Sequence, residues 1–164
     1  RCTCMSWATA KPPSVCCGAF AVVVEIGWFL TQGRWMPALP LGGWLVLAGV
    51  VAVLRMWATA AWPHWLGVLF LAQAAHAITF AAHHSVCIAW VSQHFPGRTQ
   101  ARGQALYSVV GYGMAGVVAG LLGGWASSRW GLNAVFWVAT GAALLATGAA
   151  WVSARTCAPA LRGR

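Results

Sequence analysis

The sequence predicts an all-α, polytopic membrane protein with about five transmembrane helices. Of its 164 residues, 60% are hydrophobic and only 7% are charged, whereas soluble domains carry about 25% charged residues. Apolar runs of about 20 residues, the length that crosses a bilayer as a helix, recur along most of the chain. These observations exclude an ordinary water-soluble domain and make the lipid bilayer the first expected partner.

Five apolar runs predict the transmembrane helices, at about 15–33, 41–61, 65–91, 104–126 and 133–153. Short connections rich in proline and glycine separate the runs and leave no room for a soluble domain between them. We therefore expect a single helical bundle at 15–153, followed by a basic tail at 154–164. Residues 1–14 form an unassigned leader, and because the chain starts with arginine we expect a fragment or an out-of-frame start.

The distribution of charge predicts the orientation in the membrane. The chain has ten basic residues and one acidic residue, Glu25. The basic residues stand mostly singly between apolar runs rather than on one shared face, which argues against nucleic-acid binding. If the helices alternate in direction, Arg34, Arg98 and Arg102 lie on the same side as the basic tail. Because Lys and Arg collect on the cytoplasmic side, we expect a cytoplasmic C-terminus.

No motif indicates a metal ion or another cofactor. The six cysteines lack the C-x₂-C pairs of structural zinc sites, and we interpret them as small apolar residues. Three of the five histidines lie on the third predicted helix, whereas two histidines that bind one haem would have to come from facing helices. An enzyme is not expected either, because Glu25 has no second acid with which to share acid–base chemistry.

Three ionisable side chains lie deep within predicted spans, namely Glu25, Arg55 and His76. A charge inside the membrane costs about 2.5–3.5 kcal/mol on insertion scales, so such residues usually face a cavity or a partner. Glu25 is the only carboxylate available to bind a proton, and it is the natural partner of Arg55. Both a proton-binding site on a substrate pathway and a structural Glu–Arg pair that fixes helix packing fit this pattern.

Further polar residues of the third and fourth predicted helices are candidates for the same substrate and proton pathway. His83 follows His76 by seven residues, which in a regular α-helix places both side chains on one face and turns His84 away from it. The remaining candidates are Gln73, Thr79 and Tyr107.

A stripe of glycines predicts close helix packing in the fourth span. Gly116, Gly120 and Gly124 repeat every four residues along one face. Such small residues let a neighbouring backbone approach closely in lipid. We expect the stripe to pack against another helix, and it fits a protein whose helices slide or rock against each other.

Four stretches follow one another in a recognisable order: AVVVEIGWF (21–29), VAVLRMWAT (51–59), LAQAAHAITFAAHHSVCIAWVSQHFPG (71–97) and RGQALYSVVGYGMAGVVAGLLGGW (102–125). Together they resemble the C-terminal half of a major facilitator superfamily transporter, in the branch of phenylpropionate permease-like, lactose permease-like and nucleoside proton symporters. The resemblance implies that the five helices correspond to the last five of twelve. It also implies a missing N-terminal half as partner and a place in the bacterial inner (cytoplasmic) membrane.

The resemblance also implies roles for individual residues. An acid, an arginine and a histidine that take part in sugar binding and proton coupling in lactose permease-like symporters match Glu25, Arg55 and His76. The match departs at Thr79 and Gln73, where those symporters have a coupling carboxylate and a lysine.

The function that follows is secondary active transport, with proton-coupled uptake of a small organic solute such as an aromatic carboxylic acid. Two alternatives stay open. One is a sugar or nucleoside proton symporter, and the other is a non-transporting truncated remnant or helix-packing assembly partner.

Overall fold

The computed structural model describes residues 12–157, which form five long helices with no β-strand in this range. Their bounds are Pro12–Trp35 for α1, Leu41–Ala61 for α2, Leu66–His94 for α3, Gly97–Trp130 for α4 and Leu132–Cys157 for α5. Of these, α2 to α5 are long and apolar enough to cross a membrane. The all-α, polytopic membrane fold predicted from the sequence is therefore confirmed.

Four of the five helices extend beyond at least one end of the apolar stretch that predicts them. Helix α2 coincides with the predicted run 41–61, whereas α4 begins seven residues before its predicted run. Backbone hydrogen bonding continues into the polar flanks until a proline or glycine ends the helix. Residues 12–14 of the predicted leader thus belong to α1, and residues 154–157 of the predicted tail extend α5. Residues 1–11 and 158–164 lie outside the described range, so the rest of the leader and the tail stays an expectation.

A single glycine makes the turn between α4 and α5. Gly131 has a φ of 83°, in the left-handed region that side chains with a Cβ rarely adopt. Its N–H donates to the carbonyl of Ser127 at 3.0 Å, which closes the end of α4. Because only this residue separates the two helices, α5 turns back directly along α4.

The closest approach of two helices is between α2 and α5. A Cβ placed on Gly49 would lie 2.5 Å from Oγ1 of Thr147, and one placed on Gly42 would lie 3.0 Å from Cβ of Ala154. The missing side chains let the two backbones come together, as small residues do between membrane helices. These two glycines therefore fix the α2–α5 contact.

The predicted glycine stripe of α4 lies elsewhere. A Cβ placed on Gly116, Gly120 or Gly124 meets nothing within 4 Å. Within the described residues, no helix packs against this face. The expected close contact is therefore not made inside this part of the chain, and a contact with another helix stays a prediction.

Two tryptophans tie α1, α2 and α3 together. Trp44 is 7% exposed and packs with Ala82 and Val86 of α3. The rings of Trp28 and Trp44 meet edge to face, with centroids 5.5 Å apart. Nε1 of Trp44 donates a hydrogen bond to the carbonyl of Met36 at 3.1 Å, which satisfies its buried polar atom. This cluster holds the three helices that carry the ionisable residues.

Helices α3 and α4 each contain a π-helical segment, at Ala77–Ala82 and at Ser108–Met114. A π-helical turn is closed by i→i+5 hydrogen bonds and therefore holds an extra residue. The extra residue shifts the side chains that follow it around the helix axis by about one residue position relative to a regular α-helix. Both segments thus change which side chains share a face.

Candidate functional site

His76 of α3 lies between the two charged residues of the neighbouring helices. Its Nε2 is 3.1 Å from Oε1 of Glu25 on α1, and its Nδ1 is in hydrogen-bond contact with Nη1 of Arg55 on α2. The side chains of Glu25 and His76 are 18% and 31% exposed. The three residues predicted from the sequence thus meet at one site, with Glu25 and Arg55 connected through His76.

These contacts define the hydrogen-bonding roles of His76. A guanidinium group can only donate hydrogen bonds, so Nδ1 of His76 accepts from Arg55. The ring proton then belongs on Nε2, where it is donated to the carboxylate of Glu25. In this form a neutral imidazole joins an anion to a cation.

One threonine hydroxyl contacts the side chain of Arg55 and another contacts its backbone. Nη1 of Arg55 donates to Oγ1 of Thr79 at 3.2 Å, and the same hydroxyl donates to the carbonyl of His76 at 3.1 Å. On α2, the hydroxyl of Thr59 donates to the carbonyl of Arg55 at 2.9 Å. Thr79, one of the two departures from the lactose permease-like pattern, therefore serves here as an acceptor for Arg55.

Arg55 lines two cavities beside the α2–α3 contact. The larger has a volume of about 430 Å³ and includes Trp57 and Trp62, which are 42% and 43% exposed. The smaller has about 150 Å³ and includes Thr59 and Gln73, which places Gln73 beside Arg55. Among the described residues, only Nη1 of Arg55 has side-chain hydrogen bonds. The other N–H groups of the guanidinium are therefore available for an anion.

A second polar cluster joins α3 to α4. Nδ1 of His84 lies 2.8 Å from the hydroxyl of Tyr112, and the hydroxyl of Tyr107 donates to that of Tyr112 at 3.2 Å. The ring of Phe80 stacks on that of His84, with centroids 6.3 Å apart. It also stacks on that of His76, with centroids 5.4 Å apart. A row of rings thus leads from the Glu25–His76–Arg55 site to α4.

His83 lies away from this row. It lines a cavity of about 240 Å³ among α2, α3 and α5, together with Thr79, and its ring nitrogens are 3.7 and 3.9 Å from Sγ of Cys87. The expectation that His83 shares the face of His76 assumes a regular α-helix. The π-helical segment adds a residue between the two histidines, so His84 takes the place of His83 in the row.

Sequence reasoning missed Phe80, His84 and Tyr112. Phenylalanine and tyrosine are ordinary residues of membrane helices, and nothing in the sequence marks a π-helical segment. One signal was present, because His76, Phe80 and His84 recur every four residues. That spacing places successive rings one above the other along a helix.

Among residues 12–157, no group of three or more His, Cys, Asp or Glu residues is placed to hold a metal ion. Cys2 and Cys4 lie outside the described range, so the expectation that they bind no metal stays untested.

The helices define a multi-pass membrane protein, and the family gives its class. The MFS_1 like family matches residues 14–138, which include the whole Glu25–His76–Arg55 site and the cluster between α3 and α4. The chain therefore belongs to this family. Its members are membrane transporters of the major facilitator type, and membership does not indicate an enzyme. No curated protein and no solved structure matches the chain.

Proposed function

We propose that this protein is a secondary active transporter that takes up a small organic anion together with a proton, with Glu25 as the proton carrier. The observation that carries the proposal is the chain of contacts in which Glu25 and Arg55 share the imidazole of His76. Ionisable residues within membrane spans are costly, and they usually mark substrate, ion or proton pathways. The position of the site on three helices favours such a pathway over a simple helix-to-helix pair.

Charge balance supports the coupling. Glu25 is the only acidic residue in the chain, and its negative charge offsets the positive charge of Arg55. A monovalent anion at Arg55 adds a negative charge, and a proton on Glu25 removes one. Loading one proton with one anion therefore leaves the net charge of the site unchanged, so that no uncompensated charge is exposed to the membrane interior.

His76 provides a physical link between the proton and the anion. Uptake of one proton is balanced when the incoming proton binds Nδ1 of His76 while the proton of Nε2 passes to Glu25; the ring stays neutral, and the O–H of Glu25 then donates to Nε2. Nδ1–H and Nη1 of Arg55 are both donors and cannot remain hydrogen-bonded to each other. Protonation of Glu25 thus releases Arg55 to bind a carboxylate with two parallel hydrogen bonds.

The aromatic row beside the site favours an aromatic carboxylic acid as the solute. Phe80 stacks directly on His76, so a ring attached to a carboxylate at Arg55 has an aromatic neighbour. A sugar or nucleoside is the second candidate, because Glu25, His76 and Arg55 also offer the donors and acceptors that hydroxyl groups need.

The surroundings follow from the same proposal. The protein lies in the bacterial inner membrane with its C-terminus in the cytoplasm, and the N-terminal half of a twelve-helix transporter completes the substrate cavity. The open glycine stripe of α4 supports a contact with such a partner. It equally supports the alternative of a helix-packing assembly partner that does not itself transport.

The test is uptake of a radiolabelled aromatic acid by membrane vesicles that contain the protein. In Glu25→Gln, uptake driven by a pH gradient is expected to be lost, whereas exchange of internal for external solute persists because exchange needs no net proton movement. Arg98→Gln, a change in an exposed residue of the first turn of α4, is the matched control and retains gradient-driven uptake. Unchanged gradient-driven uptake in Glu25→Gln would exclude Glu25 as the carrier.

A further inference from the structure

The α3–α4 aromatic cluster consists of four rings in mutual contact, those of Phe80, His84, Tyr107 and Tyr112. Phe80 and Tyr112 are each 38% exposed, so the other helices of the bundle do not fully cover their rings. The rings of Phe80 and Tyr112 meet edge to face, with centroids 6.1 Å apart. The cluster is therefore an open aromatic surface and not a closed part of the core.

The hydrogen bonds of the cluster join both tyrosines to His84. Tyr107 donates to the hydroxyl of Tyr112, and that hydroxyl, 2.8 Å from Nδ1 of His84, donates to Nδ1 in the tautomer of His84 that we assign. An imidazole that accepts on Nδ1 carries its proton on Nε2. Among the described residues, Nε2 of His84 has no hydrogen-bond partner, so the chain ends in an N–H group available to a ligand.

The backbone supplies an independent observation. Phe80 lies within the π-helical segment of α3, and Tyr112 lies within that of α4. Two facing helices thus both depart from regular α-helical geometry where the cluster is built. Such π-helical segments occur frequently at functional sites.

We propose that the α3–α4 aromatic cluster is a second subsite, which binds an aromatic ring that carries a hydroxyl group. The proposal rests on the proposed function, since the carboxylate of the same solute would lie at Arg55. Phe80 supplies the stacking partner between the two ends, and Nε2–H of His84 donates to the hydroxyl of the ring.

The spacing of the two ends sets the length of the solute. The ring of Phe80 stacks on both histidines, with centroids 5.4 Å from that of His76 and 6.3 Å from that of His84, so one benzene ring separates the two imidazoles. An acid with two or three carbons between the carboxyl group and the ring, and with a hydroxyl on the far side of the ring, reaches from one end to the other. The subsite therefore selects hydroxylated aryl-alkanoates over shorter acids and over acids without the hydroxyl.

The experiment is isothermal titration calorimetry on the purified full chain in lipid nanodiscs. The two probes are 3-(4-hydroxyphenyl)propanoate and 3-phenylpropanoate, which differ only in the hydroxyl. His84→Phe keeps a ring in the stack and removes the donor, whereas His84→Gln keeps an N–H donor. Phe80→Leu removes the stacking ring.

In His84→Phe, the affinity for the hydroxylated acid is expected to fall about three- to fivefold, the size of one hydrogen bond, to the affinity for 3-phenylpropanoate. The affinity for 3-phenylpropanoate itself stays unchanged, and His84→Gln restores part of the difference. Phe80→Leu weakens the binding of both acids. Equal affinities of the wild type for the two acids, equal losses for both in His84→Phe, or binding of neither acid would overturn the subsite.

A further arm separates the subsite from the proposed function. Arg55→Gln is expected to weaken the binding of both acids but not the binding of the uncharged 3-(4-hydroxyphenyl)propan-1-ol. If the acids keep their affinity in Arg55→Gln while His84→Phe still discriminates the hydroxyl, the subsite stands and the carboxylate site at Arg55 is wrong. If Arg55→Gln behaves as expected and His84→Phe does not discriminate, the carboxylate site stands and the subsite is wrong.

Discussion

Nε2 of His76 lies 3.1 Å from Oε1 of Glu25, and the other nitrogen of the same ring, Nδ1, contacts Nη1 of Arg55. One imidazole thus lies between Glu25, the one acidic residue of the sequence, and Arg55. Because one nitrogen of His76 donates and the other accepts, a change in the protonation of Glu25 alters the hydrogen bonding of Arg55.

Replacing His76 tests whether the link needs both a donor and an acceptor. In His76→Phe, Glu25 and Arg55 lose their common partner, and gradient-driven uptake is expected to fall at least about tenfold, since each lost hydrogen bond to a charged group is worth about 1.5–3 kcal/mol. His76→Gln offers both a donor and an acceptor and should retain part of the activity. Equal loss in the two variants would show that the imidazole itself, and not its hydrogen bonds, is required.

Thr79 is predicted to hold Arg55 in position. Thr79→Val keeps the shape of the side chain and removes the acceptor that lies 3.2 Å from Nη1 of Arg55. The apparent affinity for the anion, measured as the concentration for half-maximal uptake, should weaken about three- to fivefold, as for one hydrogen bond. Thr79→Ser keeps the hydroxyl and is expected to behave as the wild type; a loss of the same size there would contradict the role of Oγ1.

The α2–α5 contact predicts different effects of two glycine-to-alanine changes. In Gly49→Ala the new Cβ would lie 2.5 Å from Oγ1 of Thr147, whereas in Gly120→Ala it would meet nothing within 4 Å. Gly49→Ala should lower the free energy of unfolding by about 1–3 kcal/mol, the usual cost of overpacking. Gly120→Ala is the matched control on an open helix face. Thermal unfolding in detergent measures both, and equal midpoints would contradict the close α2–α5 packing.

The same pair of variants also reports on the open glycine stripe. If another helix covers α4 in the assembled transporter, Gly120→Ala should reduce transport in membranes while leaving the thermal midpoint of the isolated chain unchanged. Unchanged transport would show that the stripe faces lipid.

Trp44 is predicted to stabilise the bundle through its hydrogen bond as well as its ring. Trp44→Phe removes the donor to the partly buried carbonyl of Met36 and keeps an aromatic ring at this position. The free energy of unfolding should fall by about 0.5–1.5 kcal/mol, the net value of one hydrogen bond. Trp65→Phe is the control, because Trp65 is 68% exposed, and it should change stability by less than about 0.5 kcal/mol.

The fold was predictable because the bilayer imposes a simple pattern. Uninterrupted apolar runs of sufficient length have few alternatives to transmembrane helices, so the fold class follows from composition and spacing. The ends of the helices were less predictable. Hydropathy marks where the membrane core ends, whereas helix α4 continues through polar residues back to Gly97.

The ionisable part of the site was predictable for the same reason. Glu25, Arg55 and His76 stand out in apolar surroundings, and their cost in the membrane indicates a site. Their mutual contact was not predictable, because it depends on the rotation of three helices about their axes. The sequence suggested a pair of Glu25 and Arg55, whereas in the structure His76 lies between them.

The aromatic part of the site was not predictable from residue spacing, because the backbone of α3 departs from α-helical geometry. A seven-residue spacing placed His83 beside His76, and the π-helical segment at Ala77–Ala82 moved His84 there instead. Nothing in the residues AITFAA marks a wider turn, because the choice between α and π geometry depends on contacts with neighbouring helices. Faces of membrane helices are therefore less certain from spacing than the helices themselves.

The most direct test of the central claim is the charge moved with each solute molecule. Uptake of a monovalent aromatic acid into proteoliposomes containing the protein is measured under an imposed pH gradient and, separately, under an imposed potassium-diffusion potential. One proton on Glu25 with one anion at Arg55 predicts uptake that the pH gradient drives and that the electrical potential leaves unchanged. Uptake that responds to the potential, or that ignores the pH gradient, would contradict the account.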